Sequence, residues 1–284
     1  MHCSTSLISP TQLAARQSDE NLVMLDASWY LPTDGRDPGA EYVTSHIPGA
    51  HFFDIDVVAD TTHPCPHMLP TASMFTEHAR ALGIGADTDV VIYDTKGLFS
   101  APRAWWMFRV FGHQSVKVLD GGLPAWLAAG QSTTAAKSPI GVPASPFSAG
   151  FCPEWVADKE EVARHLAQHS AMVVDARSAP RFAGAEPEPR PGVRPGHMPG
   201  ARNLHYAKVI AGEPGVLASE GELRALFDAV GVDHSTPVVT TCGSGISACL
   251  LALALTELHP RPIAVYDGSW AEWGADPNCP VERA

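Results

Sequence analysis

Residues 238–255 read Val-Val-Thr-Thr-Cys-Gly-Ser-Gly-Ile-Ser-Ala-Cys-Leu-Leu-Ala-Leu-Ala-Leu. A β-branched run, Val238 to Thr241, gives way to one thiol, Cys242, then to Gly243 and Gly245, and then to a segment apolar at nearly every position from Ala248 to Leu255. β-Branched residues suit a strand, and a helix that is apolar all round is a buried one, so the stretch predicts strand, tight turn and covered helix. This is the building unit of a parallel α/β sheet.

Outward from this stretch, four pieces recur in the same order in each half. LVMLD ending at Asp26 returns as MVVD ending at Asp175, and His46-Ile-Pro-Gly-Ala returns as His197-Met-Pro-Gly-Ala. VVIYD ending at Asp94 returns as VVTTC ending at Cys242, and VKVLDGG around Asp120 returns as IAVYDGS around Asp267. The offsets stay between 147 and 151 residues, which is the mark of a tandem duplication. The expected organisation is one domain over 7–130, a linker over 131–152 rich in Ser, Ala, Gly and Pro, and a second domain over 153–280.

Within each copy, short β-rich runs alternate with helical patterns. The expected fold class is therefore α/β, with two domains that are each a mainly parallel sheet flanked by helices on both faces. Helix starts are signalled by Ser9-Pro10-Thr11-Gln12, Asp158-Lys-Glu-Glu161 and Ser219-Glu-Gly-Glu222, each with an N-cap residue three before Glu or Gln. Ligands in such sheets gather beyond the carboxyl ends of the strands. Those ends carry Asp26, Asp94 and Asp120 in the first copy, and Asp175, Cys242 and Asp267 in the second.

Composition narrows the function. The chain has 284 residues, 45% hydrophobic and 18% charged, as in an ordinary globular protein. Its formal net charge of −12 argues against nonspecific nucleic-acid binding, so an anionic ligand needs a local basic cluster. The N-terminal MHCSTSLISPTQLAARQ lacks a basic region followed by an apolar stretch, and no export signal or membrane span is expected. Cys3, Cys65, Cys152, Cys242, Cys249 and Cys279 show no Cys-x-x-Cys spacing, which favours reduced thiols in a cytoplasm.

Glycines 243 and 245 let the backbone fold over Cys242, so that N–H groups and the helix N-terminus can point at its sulfur and favour a thiolate. An inert buried cysteine is the bland alternative, and it describes Cys249, inside the apolar helix, better than Cys242. A cysteine phosphatase would carry an arginine at position 248 to bind phosphate, but that residue is alanine. Arginines 177, 181, 190, 194 and 202 fall within 26 residues alongside only Glu186 and Glu188. Singly they read as solvated loop residues among prolines; together they read as a carboxylate clamp, since the guanidinium fork binds carboxylate bidentately. His63-Pro-Cys65-Pro-His67 hints at metal ligation, but the prolines stiffen it and no further ligand lies at suitable spacing, so neither metal nor cofactor is expected.

The two HIPGA-like boxes, SAPRAWWMFRVFGH (Ser100 to His113), APRFAGAEPEPRPGVRPGHMPGA, CGSGISAC and YDGSWAEWG together resemble the tandem rhodanese-domain sulfurtransferases, from about residue 7 to 280. CGSGIS is similar to the CGSGVT loop of members that take 3-mercaptopyruvate, rather than the basic CRKGVT loop of members that take thiosulfate; Ile246 and Ser247 replace Val and Thr and leave the backbone donors in place. The resemblance implies sulfur transfer from 3-mercaptopyruvate through a persulfide on Cys242 to a thiol such as thioredoxin or to cyanide, with pyruvate released. It implies that Arg181 and Arg190 hold the substrate, and that Ser244, His67 and Asp56 form a proton relay joining the two domains. It also implies a noncatalytic first domain, with Asp94 at the cysteine position. A thiosulfate:cyanide sulfurtransferase and a noncatalytic persulfide carrier or scaffold remain as alternatives.

Overall fold

Five short strands in each half do pair into a parallel sheet, in the same spatial order both times. The computed structural model describes residues 5–143, 145–233, 235–259 and 261–284; Cys3 lies outside the described residues. The chain forms two compact units, the first comprising 1–59, 69–152 and 212–217, the second 60–68, 153–211 and 218–284.

The first unit contains β1 (Leu7–Ile8), α1 (Pro10–Ala14), β2 (Leu22–Asp26), α2 (Pro38–Thr44), β3 (Ala50–Phe52), α3 (Ala72–Ala81), β4 (Asp89–Tyr93), α4 (Ala101–Val110), β5 (Val116–Leu119) and α5 (Gly122–Ala128). Its sheet runs β1-β5-β4-β2-β3, with every pair parallel. Ile8, Leu13, Met24, Ile47, Val91, Leu119 and Trp126 belong to one buried core in this unit.

The second unit contains β6 (Val156–Ala157), α6 (Lys159–Gln168), β7 (Met172–Asp175), α7 (Ala179–Ala183) and β8 (Arg202–Asn203). After two further short strands, β9 (Ile210–Ala211) and β10 (Val216–Leu217), come α8 (Glu220–Ala229), β11 (Val238–Thr241), α9 (Ala248–Leu258), β12 (Ala264–Tyr266) and α10 (Ser269–Trp273). The sheet order β6-β12-β11-β7-β8 repeats the first sheet strand for strand, again all parallel. All four residues of β11 are buried, which requires cover on both faces of the sheet. Every residue of α9 from Ala248 to Leu255 is buried as well.

The three expected helix starts are full capping boxes. Ser9, Asp158 and Ser219 each accept the N–H three residues on, and Gln12, Glu161 and Glu222 bond back to the cap. Such caps contribute roughly 1 kcal/mol each.

Two segments sit differently from the expected boundaries. Residues 131–152 are laid along the first unit: Thr134 pairs with His46, the Phe147 carbonyl accepts from Arg80 at 2.8 Å, and Cys152 N–H bonds the Val110 carbonyl at 2.8 Å. Residues 60–68 belong with the second unit, because His63, Pro64, Cys65 and Pro66 wall a cavity of about 430 Å³ against Lys159 and Arg190.

Candidate active site

Strand β11 pairs with β7 so that Thr241 lies beside Asp175, and the next residue, Cys242, leaves the sheet at its carboxyl end. Gly245 has φ +78°, a left-handed conformation that a side chain would strain, and it turns the chain into α9. The Cys249 thiol donates to the Gly245 carbonyl at 3.1 Å, so this second cysteine braces the turn from inside the core.

The Cys242 peptide is clamped by the start of α10. Ser269 Oγ accepts the Cys242 N–H at 3.3 Å, Trp270 N–H donates to the Cys242 carbonyl at 3.0 Å, and Ala271 N–H donates to the Gly243 carbonyl at 2.9 Å. Ser269 is fully buried at φ +51°, an uncommon conformation for a residue with a side chain. Its hydroxyl also donates to the Tyr266 carbonyl at 2.8 Å, which ties the cysteine backbone to the end of β12.

The first unit displays what such a turn does with an anion. Asp94 directly follows β4 as Cys242 follows β11, and Gly97 matches Gly245 with φ +104°. There the Asp94 Oδ2 accepts three backbone N–H groups, from Phe99, Ser100 and Ala101, at 2.8 to 2.9 Å, while Oδ1 accepts from Lys96 N–H at 2.8 Å. A nest of amides at a helix start therefore closes around a negative group.

The five clustered arginines separate into different roles, which corrects their reading as one clamp. Arg177 is buried and bound to Asp175 through Nε and Nη2, with Nη2 to the Asp175 Oδ2 at 2.6 Å. Arg194 donates to the backbone carbonyls of Trp273, Gly274, Asp276 and Cys279, and so fastens the end of the chain. Arg202 is exposed on β8. Only Arg181 and Arg190 face the cysteine loop. The Arg181 Nη2 lies 3.1 Å from where a β-carbon on Gly243 would stand, so the missing side chain makes room for the fork. Arg181 Nε is buried with no hydrogen-bond partner. Burial lowers the Arg190 pKa below its usual value, and the charge of Cys242 opposes that shift.

Ser244 and Ile246 are buried in the loop, and Ser247 stands at the N-cap position of α9 without a side-chain capping bond. His67 is also buried, at φ +62°, and is counted with the second unit alongside Cys242. Asp56 belongs to the first unit, where its carboxylate accepts the Trp29 indole N–H at 3.1 and 3.2 Å. Arg190 also lines the 430 Å³ cavity with Cys65, whose thiol is raised in pKa by burial and by Glu272 against the pull of Arg190 and Lys159.

Arg177, expected in the clamp, instead anchors Glu188, and neither Glu188 nor Ser269 stands out in the sequence. Glu188 had been counted only as a charge offsetting the arginines; its side chain is 3% exposed and joins Arg177 Nη1 at 2.8 Å to Arg181 Nη2 at 2.5 Å. The flanking prolines 187 and 189 were the available signal, since they restrict the backbone on both sides of one carboxylate.

Among the described residues no helix is long and apolar enough to cross a membrane. A family model described as Rhodanese-like domain matches residues 9–129 and again 158–276. The chain is 47% identical over 263 residues to the 3-mercaptopyruvate sulfurtransferase of Homo sapiens, covering 92% of this chain and 88% of that one. It is 39% identical over 280 residues to the 3-mercaptopyruvate sulfurtransferase of Escherichia coli K12, covering 98% of each. The crystal structure of SseA from Escherichia coli, described as a 3-mercaptopyruvate sulfotransferase, is similar with a TM-score of 0.83 and 37% identity, over 94% of this chain and 99% of that one.

Proposed function

The chain belongs to the rhodanese family, and on that premise we propose that it moves sulfur from 3-mercaptopyruvate through a persulfide on Cys242 to a thiol acceptor. The observation that carries this reading is the neutral Cys242 loop with the Arg181 fork against Gly243. A loop without basic residues suits a donor whose anionic group is a carboxylate held by arginine beside the loop, better than the dianion thiosulfate.

In the first half-reaction the Cys242 thiolate attacks the sulfur of 3-mercaptopyruvate. An S–S bond forms, the C–S bond breaks, and its electron pair leaves with carbon as the enolate of pyruvate, which is then protonated. Arg181 and Arg190 orient the keto acid and stabilise the charge growing on its carbonyl oxygen. Ser244 and His67, which belong to the same unit as Cys242, relay the proton. In the second half-reaction an acceptor thiolate, such as that of thioredoxin, attacks the outer sulfur and returns Cys242 to its starting form; cyanide serves the same purpose in vitro. Two half-reactions through a covalent intermediate give ping-pong kinetics.

The amide nest that holds Asp94 in the first copy supports the same arrangement around the Cys242 sulfur and its persulfide. We place this chemistry in a reducing cytoplasm, where the Cys242 thiol stays free to react. The decisive assay supplies 3-mercaptopyruvate and thiosulfate at equal concentration with one acceptor. Faster turnover of 3-mercaptopyruvate, abolished by Cys242→Ser, is the expected result. Preference for thiosulfate, or pyruvate release by Cys242→Ser, would contradict it.

A further inference from the structure

We infer that Glu188, itself held by Arg177, is a positioning residue that fixes the Arg181 fork against the Cys242 loop; this rests on the function proposed above. Arg181 projects from α7, a helix of five residues, and its side chain is 23% exposed. A long side chain so placed has many rotamers, and one of them must be selected for the fork to meet a substrate. Glu188 selects it. One carboxylate oxygen takes Arg181 Nη2 and the other takes Arg177 Nη1, so the carboxylate is held at both ends.

Arg177 is immovable in turn. Its guanidinium is bound through two nitrogens to Asp175 at the end of β7, donates to the Gly196 carbonyl at 2.9 Å, and stacks 4.4 Å over the Trp270 ring. The chain of contacts therefore runs from the central sheet through two opposite charges to the fork beside Cys242. Glu188 also binds Arg181 through a single Nη, which leaves its other donors for an anion.

The first copy supplies an internal control. Asp26 stands where Asp175 stands, at the end of the matching strand, but its partner two residues on is Ser28, which donates to Oδ1 at 2.5 Å. There burial pushes the Asp26 carboxyl up to about 6, against the hydrogen bonds from Ser28. The copy without the cysteine thus lacks the arginine anchor, and the copy with the cysteine has it. Had the strand-end carboxylate served folding alone, the serine arrangement would have been sufficient in both.

The test compares alkylation of Cys242 by iodoacetate, which carries a carboxylate, and by neutral iodoacetamide, with the site identified by peptide mass. The unaltered chain is expected to prefer iodoacetate, and Arg181→Ala to lose that preference. Glu188→Gln is expected to reduce the rate ratio about tenfold, toward the Arg181→Ala value, while the iodoacetamide rate holds. Should that variant not fold, Glu188→Asp shortens the same carboxylate by one methylene and draws it back from Arg181 Nη2, and it is expected to reduce the ratio as well. An unchanged ratio in Glu188→Gln, or in Glu188→Asp where the first variant does not fold, overturns the inference and leaves the proposed function standing. So does a raised ratio, since Glu188 would then only dampen the local positive field. Equal rates for both reagents in the unaltered chain overturn it together with the arginine roles in the proposed function.

Discussion

Asp94 and Cys242 stand at the same point of two copies of one fold, each directly after a buried central strand and before a glycine turn into an apolar helix. In the first copy the turn spends its amides on a carboxylate; in the second Cys242 stands in that carboxylate's place. The same backbone device is thus structural in one place and available for chemistry in the other.

Removing the carboxylate should show what those amides require. Asp94→Ala leaves the N–H groups of Lys96, Phe99, Ser100 and Ala101 without their acceptor in or near the core. The expected loss is about 2 to 4 kcal/mol in denaturant unfolding of the first unit, and Asp94→Asn, which keeps one acceptor oxygen, should lose less. Equal stability of all three chains would mean that the nest needs no anion.

Asp26 makes stability depend on pH in a stated direction. Its carboxyl is pushed from 3.8 up to about 6, chiefly by burial, so between those values the folded chain binds a proton that the unfolded chain has released. The contribution is complete below about pH 4 and is lost as pH rises through 6, with a size on the order of 3 kcal/mol. Asp26→Asn should flatten this part of the stability profile and be the more stable chain at pH 7.5. Parallel profiles for the two chains would contradict the buried acid.

What could be read from residues alone was what is local. The capping boxes at Ser9, Asp158 and Ser219 lie within four residues of chain, and the strand ends at Asp94 and Cys242 are marked by apolar runs and glycines. Arg177 and Glu188 are eleven residues apart, and their pairing depends on how the proline-rich loop returns to β7. Arg194 looked like one more loop cation because its acceptors are carbonyls about 80 residues away. Residues 60–68 follow the first copy in sequence, yet they form the wall of a cavity in the second unit, and no periodicity announces that path. Asp56 and His67 came only from family resemblance, since neither stands in a pattern that distinguishes it from ordinary loop residues.

Arg190 has no carboxylate partner among the described residues, in contrast to Arg177 and Arg181. Arg190→Ala should lower kcat/KM for 3-mercaptopyruvate by roughly 1.5 to 3 kcal/mol, the worth of a hydrogen bond to a charged group. Steady-state kinetics with the acceptor saturating would read this directly. An unchanged kcat/KM would place the guanidinium in solvent rather than on the substrate.

The most direct test is the intact mass of the protein after 3-mercaptopyruvate is added without an acceptor, followed by peptide mapping. The expected result is a gain of one sulfur atom, located at Cys242, removed by a thiol and absent in Cys242→Ser. A chain that releases pyruvate with no gain in mass, or that carries the added sulfur at Cys65 or another cysteine, would contradict the role assigned to Cys242.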